Sequence, residues 1–436
     1  MKSSAAALLL RSGESILASA LKPEARWAVT GQLLAAAGLL VGMRLQTEFI
    51  APEVFGATVL MVAYGALCVG VVCTPYLQGA LRFHPEMAAV GAGVALKRFI
   101  ERTVLRRLLL ALAVTLIGGA VYCAMFGASY WGVVLLCGLC AVDVGRSIEL
   151  AFMNAARRQR EYALWTLYEA WARPIAAVAC VLASRAQAAV VLLGYLLASG
   201  ASLAAFHLLR RLRGEAQRET TAVLDAETRS SLLRYARPLI PLGLVGWLGA
   251  LSDRYVVAGL LGLRAAGIYA AVSGLIGRPN LMMQQTIELA VRPVYFAAVA
   301  GRDRAREAAV YARWLSVNAA AGLALLTGAL VGSDLIVRVL LGPSYVDASL
   351  IIPFVALAQF FLIVSYTLNG FLYAHKRVGE VLLYTAVAAL LTVTLVVLLG
   401  WHWGLRGVAI AGAVSNLLQV AALALTVRAA HRGGQR

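Results

Sequence analysis

Apolar runs long enough to cross a bilayer recur along the whole chain, separated by short polar connections. A helix crossing the hydrocarbon core takes about 20 mostly apolar residues. That length predicts twelve spans, at 26–48, 55–78, 102–126, 130–152, 162–183, 188–209, 238–262, 266–291, 310–332, 349–374, 380–400 and 404–427. The runs lack the residue-by-residue alternation of an outer-membrane barrel. The expected fold class is therefore an all-α membrane protein of twelve transmembrane helices. A charged stretch at 210–237 divides the spans six and six. The predicted organisation is a cytoplasmic amphipathic tail (1–25), an N-lobe (26–209), a cytoplasmic linker (210–237), a C-lobe (238–427) and a cytoplasmic tail (428–436). In the first tail Leu9, Ile16, Leu17 and Leu21 fall on one side of a helix, as in an interfacial anchor. The apolar run Ala5–Leu10 stops at Arg11, too soon for a signal peptide.

Composition agrees with that pattern. Of 436 residues 61% are hydrophobic and 14% charged, with mean hydropathy +0.80, against about 45–50% and about 25% in soluble chains. The net charge of +18 raises the question of a nucleic-acid partner, and its distribution answers it. With the N-terminus inside, 31 of the 39 Lys and Arg fall in inner connections and tails. Only Arg185, Arg264, Arg338 and Arg406 lie outside. This is the positive-inside bias, and it predicts both termini in the cytoplasm. Tyr130, Trp131, Trp401 and Trp403 fall at outer span ends, where amphipathic rings prefer the interface. The basic surplus is topology, and no nucleic-acid partner is expected.

No connection exceeds about 30 residues and no P-loop sequence is present. An ATP-driven pump and a soluble catalytic domain are excluded within the chain, and neither enzyme activity nor a cofactor is expected. Cys137 and Cys140 have metal-like spacing but no second ligand pair nearby, and the five His stand singly. No metal site is expected.

Four cations remain inside the membrane: Arg44 in span 1, Arg173 in span 5, Arg254 in span 7 and Arg278 in span 8. Each costs roughly 2.5–3.5 kcal/mol at the bilayer centre, so they face the bundle interior or a wet cavity. Asp143, Glu169, Asp253, Glu149 and Glu288 lie at similar depth. Structural ion pairs and a cationic cavity for an anionic cargo are both open readings. Asp143, Asp253 and Glu288 are candidate coupling acids. Arg44 has no acid in its span before Glu48. Arg44 precedes Gly56, and Arg254 precedes Gly267, by nearly the same interval, which suggests a parallel internal repeat. Arg278, Gln285 and Arg292 recur every seven residues, within about 40° of one another on a helix, as a polar stripe. Pro174 follows Arg173 and Pro279 follows Arg278, so each of these charges adjoins a kink. The physical inference is a two-lobed carrier whose cavity cations are Arg44, Arg173, Arg254 and Arg278.

Several stretches resemble one known family. They are Tyr235-Ala236-Arg237-Pro238-Leu239-Ile240-Pro241, then Leu251-Ser252-Asp253-Arg254-Tyr255, then Ala266-Gly267-Ile268-Tyr269-Ala270. Leu341-Gly342-Pro343-Ser344-Tyr345 with Ala348 and Pro353, Gly404-Leu405-Arg406-Gly407-Val408-Ala409, and Pro52-Glu53-Val54-Phe55-Gly56 complete the set. Together they are similar to Wzx-type polysaccharide flippases of the multidrug/oligosaccharidyl-lipid/polysaccharide exporter superfamily. The resemblance implies two six-helix lobes and alternating access. It also implies a cargo, an undecaprenyl-pyrophosphate-linked oligosaccharide moved from inner to outer leaflet of a bacterial cytoplasmic membrane. Its products would be O-antigen, capsule or exopolysaccharide. Membrane lipids and the polysaccharide polymerase machinery are the other partners it implies. Asp253-Arg254 matches the family motif directly, whereas Arg44, Arg173 and Arg278 rest on depth and helix face. The alternatives are a lipid II flippase, a multidrug extruder of the same fold, and a polytopic glycosyltransferase or polymerase. An extruder of cationic drugs would want buried acids, and an enzyme would want a large external loop.

Overall fold

A computed structural model describes residues 23–126, 130–213, 224–301 and 303–433. The expected amphipathic helix in the first tail therefore lies outside the described residues, as do 214–223 of the linker and the last three residues.

Among the described residues the chain is helical throughout, without strands. In chain order the helices are α1 (Pro23–Phe49), α2 (Pro52–Cys68), α3 (Thr74–Ala89), α4 (Gly93–Phe126), α5 (Tyr130–Ala155), α6 (Gln159–Ala183) and α7 (Ala188–Leu212). They continue with α8 (Ala226–Ala236), α9 (Leu239–Ala300), α10 (Arg304–Val331), α11 (Ser333–Leu340), α12 (Ile352–Ala374) and α13 (Val378–Gly433). A π-helical turn, Val69–Cys73, joins α2 to α3, and a 3₁₀ segment, Pro343–Leu350, precedes α12. Two helices are much longer than a bilayer needs, and each is broken by a glycine with positive φ: Gly262 in α9 and Gly404 in α13. Non-glycine residues rarely adopt that conformation.

Among the described residues seven helical stretches are long and apolar enough to cross a membrane, so this is a multi-pass membrane protein. Helices α1, α5 and α6 are also long enough, and each carries charged residues along its length. Much of that charge is paired with neighbouring helices, as described below.

Packing separates the chain into two groups of helices. In the first, α1 lies along α6 with little between the backbones. A Cβ at Gly31 would come within 2.8 Å of Ala163, one at Gly38 within 2.5 Å of the Trp171 ring, and one at Gly42 within 2.5 Å of Pro174. Small residues permit this close approach. In the second group, α12 and α13 pack together, and Asn416 Nδ2 donates to the Ala358 carbonyl at 2.9 Å. Of the charged stretch expected to be a linker, residues 226–236 form a helix, α8. Asp225 caps α8 through the Thr228 N–H at 3.2 Å. Leu224, Leu232 and Ala236 then bury against Tyr76, Leu96 and Ile100 of the first group.

The groups meet along two unequal seams. Helix α2 follows the first half of α9 for its whole length. Tyr255 OH donates to the Leu60 carbonyl at 2.6 Å, Trp247 Nε1 donates to the Ala63 carbonyl at 2.7 Å, and Gly243 packs on the Gly70 backbone. Beside Gly70 the helix widens into the π-helical turn, a local irregularity frequent at functional positions. Helix α1 meets the second group mainly through its last turns. Gly274 faces Met43, Gly342 N–H donates to Thr47 Oγ1 at 2.9 Å, and Tyr345 OH donates to the Ile50 carbonyl at 3.0 Å.

Candidate functional site

The four sequence-predicted arginines do not form one cluster. Arg44 joins the clasp at the end of α1. Its guanidinium lies 2.6 Å from Glu48 and donates to the Leu341 carbonyl at 2.5 Å. Glu48, one turn later, is the acid that Arg44 uses. The interaction also satisfies an orphan carbonyl at the C-terminus of α11, where positive charge is favoured.

Arg173 sits in an ion network among α5, α6 and α7. It pairs with Asp143, lies 2.6 Å from Glu169, and donates to Ser199 Oγ at 2.7 Å. Arg146 lies 3.4 Å from Asp143. Glu169 is buried and also accepts from Ser199 at 2.9 Å and Ser202 at 2.7 Å. Two arginines and two carboxylates balance here, so for Arg173 the ion-pair reading describes the geometry.

Arg254 is half-buried on α9. It lies 3.4 Å from the adjacent Asp253 and donates to the Ala250 carbonyl at 2.8 Å. Asp253 also accepts from Tyr269 OH at 2.7 Å, which links the two halves of α9 across the Gly262 break.

Arg278 differs from all of these. It is exposed to solvent yet surrounded by protein, within electrostatic range of Arg254 and Arg173. It has neither a carboxylate nor a hydrogen-bond partner among the described residues. A guanidinium left open in this way is available to an anion, and its planar fork suits phosphate. Pro279 follows it and removes a helical hydrogen bond at the same point.

The expected stripe extends from Arg278 only in part. Gln285 is exposed, whereas Arg292 is occupied by Glu288 at 2.7 Å and lies over Phe296 and Tyr373. All three candidate coupling acids have partners: Asp143 with Arg173 and Arg146, Asp253 with Arg254 and Tyr269, and Glu288 with Arg292 and Gln284. The structure adds two residues that the sequence reading missed. Tyr195 lies within range of the charges of both Arg173 and Arg278, and its OH donates to Gln46 Oε1 at 2.7 Å. Neither residue is charged, so a search for intramembrane charge passes over both.

Residues 140–350 match a family described as polysaccharide biosynthesis protein. Among solved structures the chain is similar to a lipid II flippase, MurJ, in an inward closed conformation. That likeness has 14% identity and a TM-score of 0.70, covering 93% of this chain and 87% of that one. The chain has the fold of the multidrug/oligosaccharidyl-lipid/polysaccharide exporter superfamily. Two transporters of that fold are similar over nearly their whole length. One is a mutant of the Vibrio cholerae MATE transporter VcmN, with 13% identity and a TM-score of 0.63, covering 97% of this chain and 98% of that one. The other is an inward-facing multidrug resistance MATE family transporter of the MOP superfamily, with 13% identity and a TM-score of 0.64, covering 92% of this chain and 95% of that one. No curated protein sequence matches significantly. The glycine-broken α9 lies where the two groups of helices meet.

Two turns, one in each group of helices, share one geometry. Arg157 and Lys376 both take positive φ, at 58° and 60°. Arg157 N–H donates to Asn154 O and Arg158 N–H to Met153 O, while Lys376 N–H donates to Tyr373 O and Arg377 N–H to Leu372 O. In each turn the second basic residue then pairs with a glutamate three residues on, Arg158 with Glu161 and Arg377 with Glu380. These are helix-ending Schellman-type turns of the same design.

Proposed function

We propose that the protein flips polyprenyl-pyrophosphate-linked oligosaccharide repeat units from the inner to the outer leaflet of a bacterial cytoplasmic membrane, supplying surface polysaccharide synthesis. The observation that carries this reading is Arg278, an open guanidinium inside the protein beside Arg254. A pyrophosphate supplies the missing counter-charge. The head group is too polar for about 30 Å of hydrocarbon, whereas a prenyl tail is at home there. The family match to polysaccharide biosynthesis over residues 140–350 supports the same cargo.

In this reading the chain spans the membrane twelve times with both ends inside, and the breaks at Gly262 and Gly404 separate spans 7 from 8 and 11 from 12. The clasp that joins α1 to the Pro343–Leu350 segment then lies on the outer side, and access is from the cytoplasm. Cargo enters between α1 and the second half of α9, and Arg278 and Arg254 receive its phosphates. Tilting of the lobes about the α2–α9 seam opens the clasp. Arg173 holds the first lobe together, and Arg44 belongs to the clasp. Asp253, shared between Arg254 and Tyr269, is the coupling acid best placed to register cargo.

The test is flipping of a defined lipid-linked oligosaccharide in proteoliposomes, with Arg278→Gln and Arg254→Glu beside the natural sequence. Both variants are expected to insert normally and lose transport. Normal transport by both would overturn the cavity role, and transport of lipid II or of a cationic drug instead would reassign the cargo.

A further inference from the structure

Away from the lobe junction, the start of α1 and helices α6 and α7 enclose a groove of about 890 Å³. Its rim carries Arg157, Arg158, Arg160, Arg210 and Arg213 against one acid, Glu161. Glu161 is taken by Arg158 at 2.6 Å, and Arg210 is shared with Glu149 at 3.8 Å. Arg157, Arg160 and Arg213 are exposed. The wall is aromatic: Trp165 and Phe206 have ring centroids 4.8 Å apart, Arg160 lies over Trp27 at 5.3 Å, and Arg210 lies over Phe206 at 5.7 Å. The positive φ of Arg157 places two consecutive arginines at the rim, in a position that most helices give to glycine.

A second groove, of about 650 Å³, continues from the first between α6 and α7. The two share Tyr168 and Ala201, and the second runs on past Leu167, Trp171, Ile175 and Leu197 without a charged residue. A cationic pocket at the helix ends thus opens onto an apolar channel along the helices. That sequence of surfaces matches an amphiphile with an anionic head and a hydrocarbon chain.

We propose that this composite groove binds an anionic phospholipid of the bilayer, its phosphodiester at the arginine rim and one acyl chain between α6 and α7. Clusters of basic residues at helix ends recognise such head groups, each contributing favourably near the membrane surface. Every lining residue belongs to the first lobe. The groove therefore does not depend on how the lobes tilt, and a cargo crossing between them would not travel in it. The leaflet occupied rests on the topology proposed above and is the cytoplasmic one. The lipid chemistry rests on the groove alone.

The experiment uses the full chain in detergent, titrated with phosphatidylglycerol or with phosphatidylcholine of the same acyl chains and read by native mass spectrometry. The natural sequence is expected to prefer phosphatidylglycerol by about tenfold or more. The triple variant Arg157→Gln, Arg160→Gln, Arg213→Gln loses that preference, and Ala201→Phe, at an exposed position, weakens both lipids by filling the channel. Arg278→Gln leaves lipid binding unchanged, so failure of the transport reading and failure of this one are separable. Equal binding of the two lipids by the natural sequence, or an unchanged preference in the triple variant, overturns the proposal. Displacement of phosphatidylglycerol by equimolar undecaprenyl phosphate overturns it too, in favour of a cargo-docking site.

Discussion

Gly56 and Gly267 meet where the two lobes touch, and the contact is reciprocal. A Cβ on Gly56 would overlap the Leu263 carbonyl oxygen, and a Cβ on Gly267 would overlap the Pro52 carbonyl oxygen. Each glycine thus lies on a carbonyl four residues before the other. Glu53 and Arg264, each three residues before its glycine, pair across the same junction at 3.1 Å. Corresponding positions of the two halves therefore touch one another at a local pseudo-twofold axis.

Because neither carbonyl can move without unwinding a helix start, Gly56→Val or Gly267→Val should prevent closure of this junction while leaving each lobe folded. Spin-label distances between positions 51 and 346, in a background without native cysteines, should lengthen relative to the same pair with both glycines intact. Unchanged distances would mean that the junction yields more easily than its geometry implies.

The Glu53–Arg264 pair is exposed on both sides, so it contributes little, roughly 0.2–1 kcal/mol. Glu53→Arg alone should shift the same distance distribution only partly toward the open form. The exchange Glu53→Arg with Arg264→Glu should restore it. A double variant that stays open would assign the closing energy to the glycine contact alone.

Arg173 and Arg278 should separate stability from transport. Removing Arg173 strands the buried Glu169 without its ion-pair partner and leaves Asp143 only Arg146, a change that costs about 3–5 kcal/mol when a buried pair is broken. Arg173→Gln is thus expected to lower the unfolding temperature markedly. Arg278→Gln strands nothing and should leave that temperature unchanged or raised. Its whole effect should fall on flipping.

Arg44 and Arg254 engage different partners, the first Glu48 and the Leu341 carbonyl, the second Asp253 and the Ala250 carbonyl. Arg44→Ala and Arg254→Ala should combine additively in a flipping assay. Strong non-additivity would put both on one phosphate.

Asp225 caps α8 from outside the long helices. Its hydrogen bond from Thr228 holds the carboxyl below the usual carboxylate range. A depressed value adds stability above the ordinary carboxylate range and loses it as pH falls through the lowered one. Asp225→Ala at neutral pH should therefore raise hydrogen exchange across 226–236, and strong acid should do the same to the natural sequence.

Much of the fold was legible because apolar length is a local property. The expected limits 130–152, 188–209 and 349–374 fall within or near α5, α7 and α12 without knowledge of any contact. The breaks at Gly262 and Gly404 fall at the expected ends of spans, the last residue of 238–262 and the first of 404–427. The site was less legible, because pairing is long-range. Asp143 is thirty residues from the Arg173 it neutralises, and nothing local distinguishes that arginine from Arg278. The match between Arg157-Arg158-Gln159-Arg160-Glu161 and Lys376-Arg377-Val378-Gly379-Glu380 was present in the sequence. It is short and lies in connections between helices, far from the Arg44–Gly56 and Arg254–Gly267 intervals that suggest a repeat.

The unequal seams have a consequence for what surrounds the protein. Helix α2 is stitched to α9 from Gly56 to Gly70, while α1 turns its Gly31, Gly38 and Gly42 toward α6 instead. The molecule is thus bound along one edge like a book, and in the proposed cycle its pages part on the other. The hydrocarbon chain of the proposed cargo would trail out through that margin without being measured by the interior, so its length would set no limit on passage. Any protein that takes over the product gains by standing at the fore-edge rather than the spine.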